Sequence, residues 1–225
     1  MWILLTAVIA WIAFSQPASA PVPVVVELFT SEGCSSCPPA DALLSKLAKE
    51  QPVAGAQIIP LGMHVTYWDQ LGWKDPASLK GATERQQDYS RVFGEDRIYT
   101  PQAVIDGHAE LVGSDEAGVR SAIARAAKQP HVRVTISPDF EVSLSDVPAD
   151  LKERLDIRWL IVEDGLTSVV KRGENGGRTL HHDAVVRHIA AGSFPREWRR
   201  PNLRAIAIAQ GAKSRRIWGA AQISY

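Results

Sequence analysis

Cys34 and Cys37 are the only cysteines in the chain, and they stand three positions apart. A structural disulfide gains most by closing a long loop. This pair closes almost none, so its spacing points to chemistry. Thiol–disulfide exchange needs one accessible thiolate to attack and a second thiol to resolve the mixed disulfide. A two-residue spacer at the start of a helix meets both needs. Unpaired N–H groups and the helix dipole stabilise a thiolate on Cys34, while Cys37 lies one turn inside. The alternatives are an inert disulfide and half of a zinc site, and a zinc site needs two further ligands that no other cysteine supplies.

Other residues bear on that chemistry. Glu27 is the one charge in an apolar stretch before the cysteines; it either moves the proton that exchange requires or points to solvent. Glu32 stands two residues before Cys34 and opposes a thiolate there, and the Ser35-Ser36 spacer adds no cation. His64, Tyr67, Trp68, Asp69 and Trp73 follow a second expected strand, at the end of a parallel sheet that faces the dithiol loop. They form a substrate surface or pack beneath the next helix, and Arg85, Gln86 and Tyr89 on that helix share the ambiguity. His181, His182 and His188 raise a metal question. Strand alternation sets His182 and His188 on one face and His181 on the other, which makes a shared site awkward and favours structural or interface histidines. No metal site is assigned.

The elements that must position these residues are legible in the pattern. Residues 22–29 are β-branched and apolar and read as a buried strand. Residues 30–36 read as a loop. A helix follows from Cys37, with Pro38 and Pro39 in its first turn and Ala40, Leu43, Leu44, Leu47 and Ala48 on one face. Residues 57–63 form a second strand, completing a βαβ unit with a right-handed crossover. A helix over 83–93 precedes a hairpin, 103–106 and 109–112, around Gly107-His108. Ser114 caps a helix over 115–128. After Pro130 short strands are expected at 132–136, 140–144, 155–162, 167–171, 183–190, 203–209 and 217–223, a run that reads as an antiparallel sandwich. The expectation is an α/β domain over residues 21–130 and a β-rich, sandwich-like region over 131–225.

Lysine plus arginine equals aspartate plus glutamate, 25 each among 225 residues, which gives no basic bias toward nucleic acid. Residues 2–14 are apolar apart from Thr6, and Ala18-Ser19-Ala20 matches a cleavage pattern. Residues 1–20 therefore read as a signal peptide, too short an apolar run to span a bilayer comfortably. The mature chain is expected to be periplasmic or secreted, free of the membrane, in a compartment where disulfides persist.

The segment ELFTSEGCSSCPPAD, which starts at Glu27, resembles the active-site segment of glutaredoxins and thioredoxins. With HVTYWDQLGW, RQQDY, YTPQAVIDG and RGENGGRTLHHDAVVR, it identifies the chain as similar to a secreted, thioredoxin-like family of unknown function, DUF1223. The resemblance implies a thioredoxin-like fold with a β-rich appendage and no established substrate. It also implies that Thr100-Pro101 is a cis bond opening a strand beside the dithiol and presenting backbone to substrate. The Gly-Pro spacer and preceding tryptophan of thioredoxin are absent.

The function expected from these readings is an exported thiol–disulfide oxidoreductase of reductase or isomerase type. Cys34 is the nucleophile, Cys37 the resolver and Glu27 a proton carrier. Pro101, Thr100, Tyr67, Trp68 and Trp73 contact substrate. No cofactor is required; the partners are protein or small-molecule thiols and disulfides, with an electron donor. The alternatives are a binding protein on the same fold without redox turnover and a Cys/His metal carrier.

Overall fold

The computed structural model describes residues 20–198, 200 and 202–224, so the leader read at residues 1–20 lies outside the described residues apart from Ala20. In chain order the elements of the first half are β1 (Val22–Thr30), α1 (Pro38–Glu50), β2 (Ala56–His64), α2 (Lys80–Phe93), β3 (Gln102–Ile105), β4 (Ala109–Val112) and α3 (Glu116–Ala126). The second half contributes β5 (Arg133–Ile136), β6 (Val142–Ser145), β7 (Leu155–Glu163), β8 (Leu166–Val169), β9 (Thr179–His182), β10 (Val185–Ala191), β11 (Leu203–Gly211) and β12 (Ile217–Ser224). Among the described residues no helix is long and apolar enough to cross a membrane.

The fold is mixed α/β and mostly sheet. Eight strands form one sheet in the order β12-β11-β7-β10-β2-β1-β3-β4. β1 and β2 run parallel with α1 as their crossover, and β3 is antiparallel to β1. The expected sandwich after Pro130 is corrected here: β7, β10, β11 and β12 continue the first sheet, and β10 joins it beside β2 through Gly62 N donating to Ala184 O at 2.8 Å. Trp159 through Val162 on β7 and Ala205 through Ala209 on β11 are buried without alternation, the mark of strands covered on both faces. The cap of α3 is also Asp115 rather than Ser114, its carboxylate accepting from Gly118 N at 3.0 Å.

Strand alternation divides the core. Val25, Phe29, Ile59, Leu61 and Met63 point to the α2 face and run on into Leu160, Val162, Ile206 and Ile208. Val24, Val26, Leu28 and Ile58 point the other way, under α1 and α3. Over the second half that same face is closed by the β5–β6 hairpin and Phe194, packed on Trp159 and Ile161. The β8–β9 hairpin stands apart: it leaves the sheet between the paired strands β7 and β10 and packs against α1.

Candidate functional site

β1 ends at Thr30, and the loop that follows carries the cysteines into the first turn of α1. Cys34 and Cys37 form a disulfide with their Cα atoms 5.4 Å apart. Cys37 is the N-cap residue of α1, and Pro38 and Pro39 occupy the positions where a missing N–H costs nothing. Ser36 Oγ lies 3.4 Å from Cys34 Sγ; a disulfide sulfur has no hydrogen, so the hydroxyl donates. On reduction the same hydroxyl is placed to stabilise a Cys34 thiolate, a donor that the neutral Ser-Ser spacer did not suggest. Cys34 is 1 % exposed and Cys37 0 %, whereas Ser35 and Ser36 face solvent.

The cover comes from the loop between β8 and β9. Asn175 Nδ2 donates to Glu32 O and to Cys34 O, both at 2.9 Å, and Ser35 N donates to Glu174 Oε2 at 2.9 Å. Gly176 N donates to Gly173 O and Gly177 N to Val170 O, so the loop is internally tied before it meets the dithiol. Its function was invisible in sequence because its partners lie about 140 positions away, at separations of 141 and 143 residues.

Beneath the disulfide lies a buried set of carboxyl and imidazole groups. Glu32 Oε2 accepts from Trp73 Nε1 at 2.7 Å and from Ser168 Oγ at 3.0 Å, and Glu32 Oε1 is 3.4 Å from His182 Nε2. Asp75 Oδ2 accepts from Glu32 N at 2.9 Å and pairs with His64 Nδ1 at 2.7 Å. Asp41, on α1, accepts from Thr30 Oγ1 at 2.8 Å, and its other oxygen is 3.9 Å from His182 Nδ1. The rings of His64 and His182 meet edge to face at 4.8 Å. Burial works against charge on both members of the His64–Asp75 pair. Their mutual hydrogen bond and charge outweigh it, pushing the imidazole up and holding the carboxyl below its usual range. An ionised carboxylate only accepts, so His64 donates from Nδ1. Burial pushes the Asp41 carboxyl up, with the His182 and His64 charges opposing.

The residues singled out by sequence separate into two groups. Trp68 and Thr100 are brought to the dithiol: Trp68 Nε1 donates to Thr100 Oγ1 at 2.9 Å, and a Cβ on Gly33 would lie 3.1 Å from Trp68 Cβ. The Thr100–Pro101 bond is cis. Pro101 O accepts from Gly113 N, and a side chain on Gly113 would meet Leu28, Pro101 and the first-turn Ala40 at 2.5, 3.3 and 3.4 Å. That close approach needs glycine and seats Pro101 against the start of α1. Trp73 anchors Glu32, and Tyr67 packs on the core under α2, where burial pushes its phenol up to about 12.

Glu27 belongs to the second group. It is 0 % exposed and, as an odd-numbered β1 residue, faces α2, away from α1. There it accepts from Arg85 at 2.5 and 3.0 Å and from Tyr89 Oη at 2.5 Å, while Arg85 also donates to Gln210 of β11 at 2.9 Å. The buried carboxyls on the dithiol's side are Glu32, Asp41 and Asp75. The histidines also separate. His182 turns inward, His181 bonds Thr167 on the exposed side of the hairpin at 3.0 Å, and His188 stacks on Trp198 at 5.1 Å. His188 stands on β10, a different strand from His182, so the alternation argument did not apply. Among the described residues no three histidine, cysteine or acidic side chains are grouped to hold a metal.

The His64–Asp75 pair sets a pH dependence. Because the folded value of His64 is raised above its ordinary 6.5, its contribution to stability is complete below that pH and is lost as pH rises through the folded value. Melting temperature should therefore fall on the alkaline side, and His64→Gln should flatten that limb. An unchanged slope in the variant would contradict the assignment of the charge to His64.

Two solved structures share the architecture. An Agrobacterium tumefaciens protein, a structural genomics target solved by X-ray crystallography, is 25 % identical, with a TM-score of 0.69 over 92 % of this chain and 96 % of that one. HBP35 of Porphyromonas gingivalis is 13 % identical, with a TM-score of 0.58 over 92 % of this chain and 76 % of that one, a likeness of fold alone. No curated protein matches the chain. Residues 25–216, which include the cysteine loop, its cover and the buried acid–histidine set, match the family described as a protein of unknown function (DUF1223), and the chain belongs to that family.

Proposed function

We propose that the protein is an exported thiol–disulfide oxidoreductase of reductase or isomerase type, built on a thioredoxin-like scaffold. The observation that carries this reading is the Cys34–Cys37 disulfide at the opening of α1, with a hydroxyl donor on the Cys34 sulfur. The scaffold is read from β1-α1-β2 followed by β3-β4-α3, with the strands in the order β2-β1-β3-β4. In the reduced protein the Cys34 thiolate attacks a substrate disulfide and releases one substrate thiolate. Cys37 then attacks the Cys34 sulfur, re-forming the internal disulfide and releasing the second thiol. An external dithiol donor returns the electron pair and is itself oxidised. The Thr100 backbone, ahead of Pro101, offers substrate a contact beside Cys34. No cofactor enters this cycle.

The buried state of Cys34 favours a second reading, a binding protein on the same scaffold without turnover. Equilibration with glutathione buffers separates the two. The helix start and Ser36 stabilise a thiolate without a neighbouring cation, so the potential is expected at roughly −200 to −270 mV, the range of glutaredoxins and thioredoxin. A potential near −120 mV would make the protein an oxidant. A pair that never exchanges would favour the binding reading.

A further inference from the structure

We propose that the cavity between α3, the β3–β4 turn and Arg216 is a binding site for a small organic carboxylate with a compact apolar body the size of a benzene ring. The site is separate from the dithiol and does not depend on the oxidoreductase reading. Cys34 follows the carboxyl end of β1, whereas Asp106, in the cavity lining, accepts from Val25 N toward the other end of that strand at 2.7 Å. The cavity measures about 140 Å³, close to the roughly 150 Å³ void that holds benzene in an engineered protein. Ile105 and Ala122 are buried and, with Ala109 and Ala126, make its lining largely apolar. Exposed Arg125 of α3 and half-buried Arg216, just before β12, complete it with two cations.

Neither arginine has an ion pair among the described residues. Arg125 Nη1 donates to Ser121 Oγ at 2.7 Å. Arg216 donates one N–H to Pro130 O at 3.0 Å and lies 3.9 Å over the Trp218 ring, which holds the guanidinium in place and leaves further donors free. Burial pushes Arg216 below its usual value, with Asp106 and Glu153 opposing. The acid in the lining, Asp106, has its charge already matched. His131 Nδ1 lies 2.7 Å from Gln129 O, and a carbonyl only accepts, so Nδ1 carries a proton. His131 Nε2 stands 3.3 Å from Asp106 Oδ2, and a hydrogen bond there needs a second proton on one or the other. Either placement leaves the pair with no net charge. Glu153, the other acid near Arg216, accepts instead from Lys213 N, Ser214 N and Ser214 Oγ. His108, also in the lining, adds no negative charge. The group missing from this cavity is therefore an anion, and the guanidinium fork matches a carboxylate bidentately. The apolar lining favours an acid with a hydrocarbon body over phosphate or acetate.

The probe is benzoate, titrated into the full chain with the disulfide intact and followed by methyl NMR of Ile105, Ala122 and Ala126. Saturable shifts at these methyls are expected. Benzamide keeps the ring without the charge, and acetate keeps the charge without the ring; each should bind about tenfold more weakly, or worse. Arg216→Gln should weaken benzoate about tenfold, and Arg125→Gln, at an exposed position that the fold does not rely on, about threefold. Ala126→Leu fills the cavity from the half-buried flank of α3 and should abolish binding while both arginines remain. The absence of a saturable shift with benzoate overturns the proposal. Equal affinity for benzamide or for acetate also overturns it, since the response would then be partition of a ring or general attraction of an anion. Unchanged benzoate binding in Ala126→Leu would place the ligand elsewhere and overturn it as well. None of these outcomes bears on exchange at Cys34, so the oxidoreductase reading stands or falls separately.

Discussion

Arg85→Met is expected to destabilise the fold by about 3–5 kcal/mol, the usual cost of leaving one member of a buried ion pair without its partner. For a chain of this size that lowers the melting temperature by on the order of 10 °C. The cause is specific. Glu27 sits inside the sheet and relies on Arg85 and Tyr89, and the variant leaves it only the phenol. The cost also propagates, because Arg85 of α2 holds Gln210 of β11 as well as Glu27 of β1, joining strands from the two halves of the sheet. Adding Glu27→Gln removes the orphaned charge and should recover much of the loss, since neutral replacements of buried pairs are often tolerated. Well below the melting temperature, exchange at the dithiol should remain within twofold of the parent, because Glu27 faces α2 rather than α1. A melting temperature within about 2 °C of the parent, or exchange slowed tenfold in a folded variant, would sink this account of Glu27.

The second large effect concerns access. Asn175→Ala removes two hydrogen bonds to the cysteine loop, each worth about 1 kcal/mol. If substrate reaches Cys34 only when the β8–β9 loop swings away, losing about 2 kcal/mol raises the open fraction, and so the rate of reduction by a small dithiol, roughly 10–30-fold. The reduction potential should move far less than the rate, because the loop covers the oxidised loop without bonding either sulfur. Glu174→Gln, whose carboxylate meets the exposed Ser35 through its N–H and its side chain, should have a smaller effect in the same direction. Stopped-flow reduction of both variants measures this. A rate equal to or below that of the parent in Asn175→Ala would mean that the loop does not gate Cys34.

The sequence made the local parts of this site legible. Cys34 and Cys37, the two prolines after them and the apolar face of α1 are neighbours in the chain, and local chemistry determines them. The Gly107-His108 hairpin is legible for the same reason. The partners of Glu32 are not: Ser168 and Asn175 reach it from 136 and 143 positions away, and no local pattern records such a meeting. The same limit explains the sheet. Periodicity reports which side of a strand is buried, but not which strand lies beside it. Leu155–Glu163 and Leu203–Gly211 therefore read as strands without revealing that they extend the sheet begun by β1. Glu27 shows the alternation rule working against a plausible guess: one residue's shift along β1 exchanges the α1 face for the α2 face.

The distance in chain between the cysteines and their cover also has a consequence for the protein's birth. Chains emerge amino-terminus first, so Cys34 and Cys37 leave the ribosome long before Ser168, Asn175 and His182 exist. Through that interval the pair lacks its lid, and Glu32 lacks three of the groups that surround it in the folded protein. The nascent dithiol is open to any passing disulfide, and a chain halted before residue 165 keeps it so. Completion of the β8–β9 hairpin therefore marks the moment at which the cysteine pair passes from an open dithiol to a covered one.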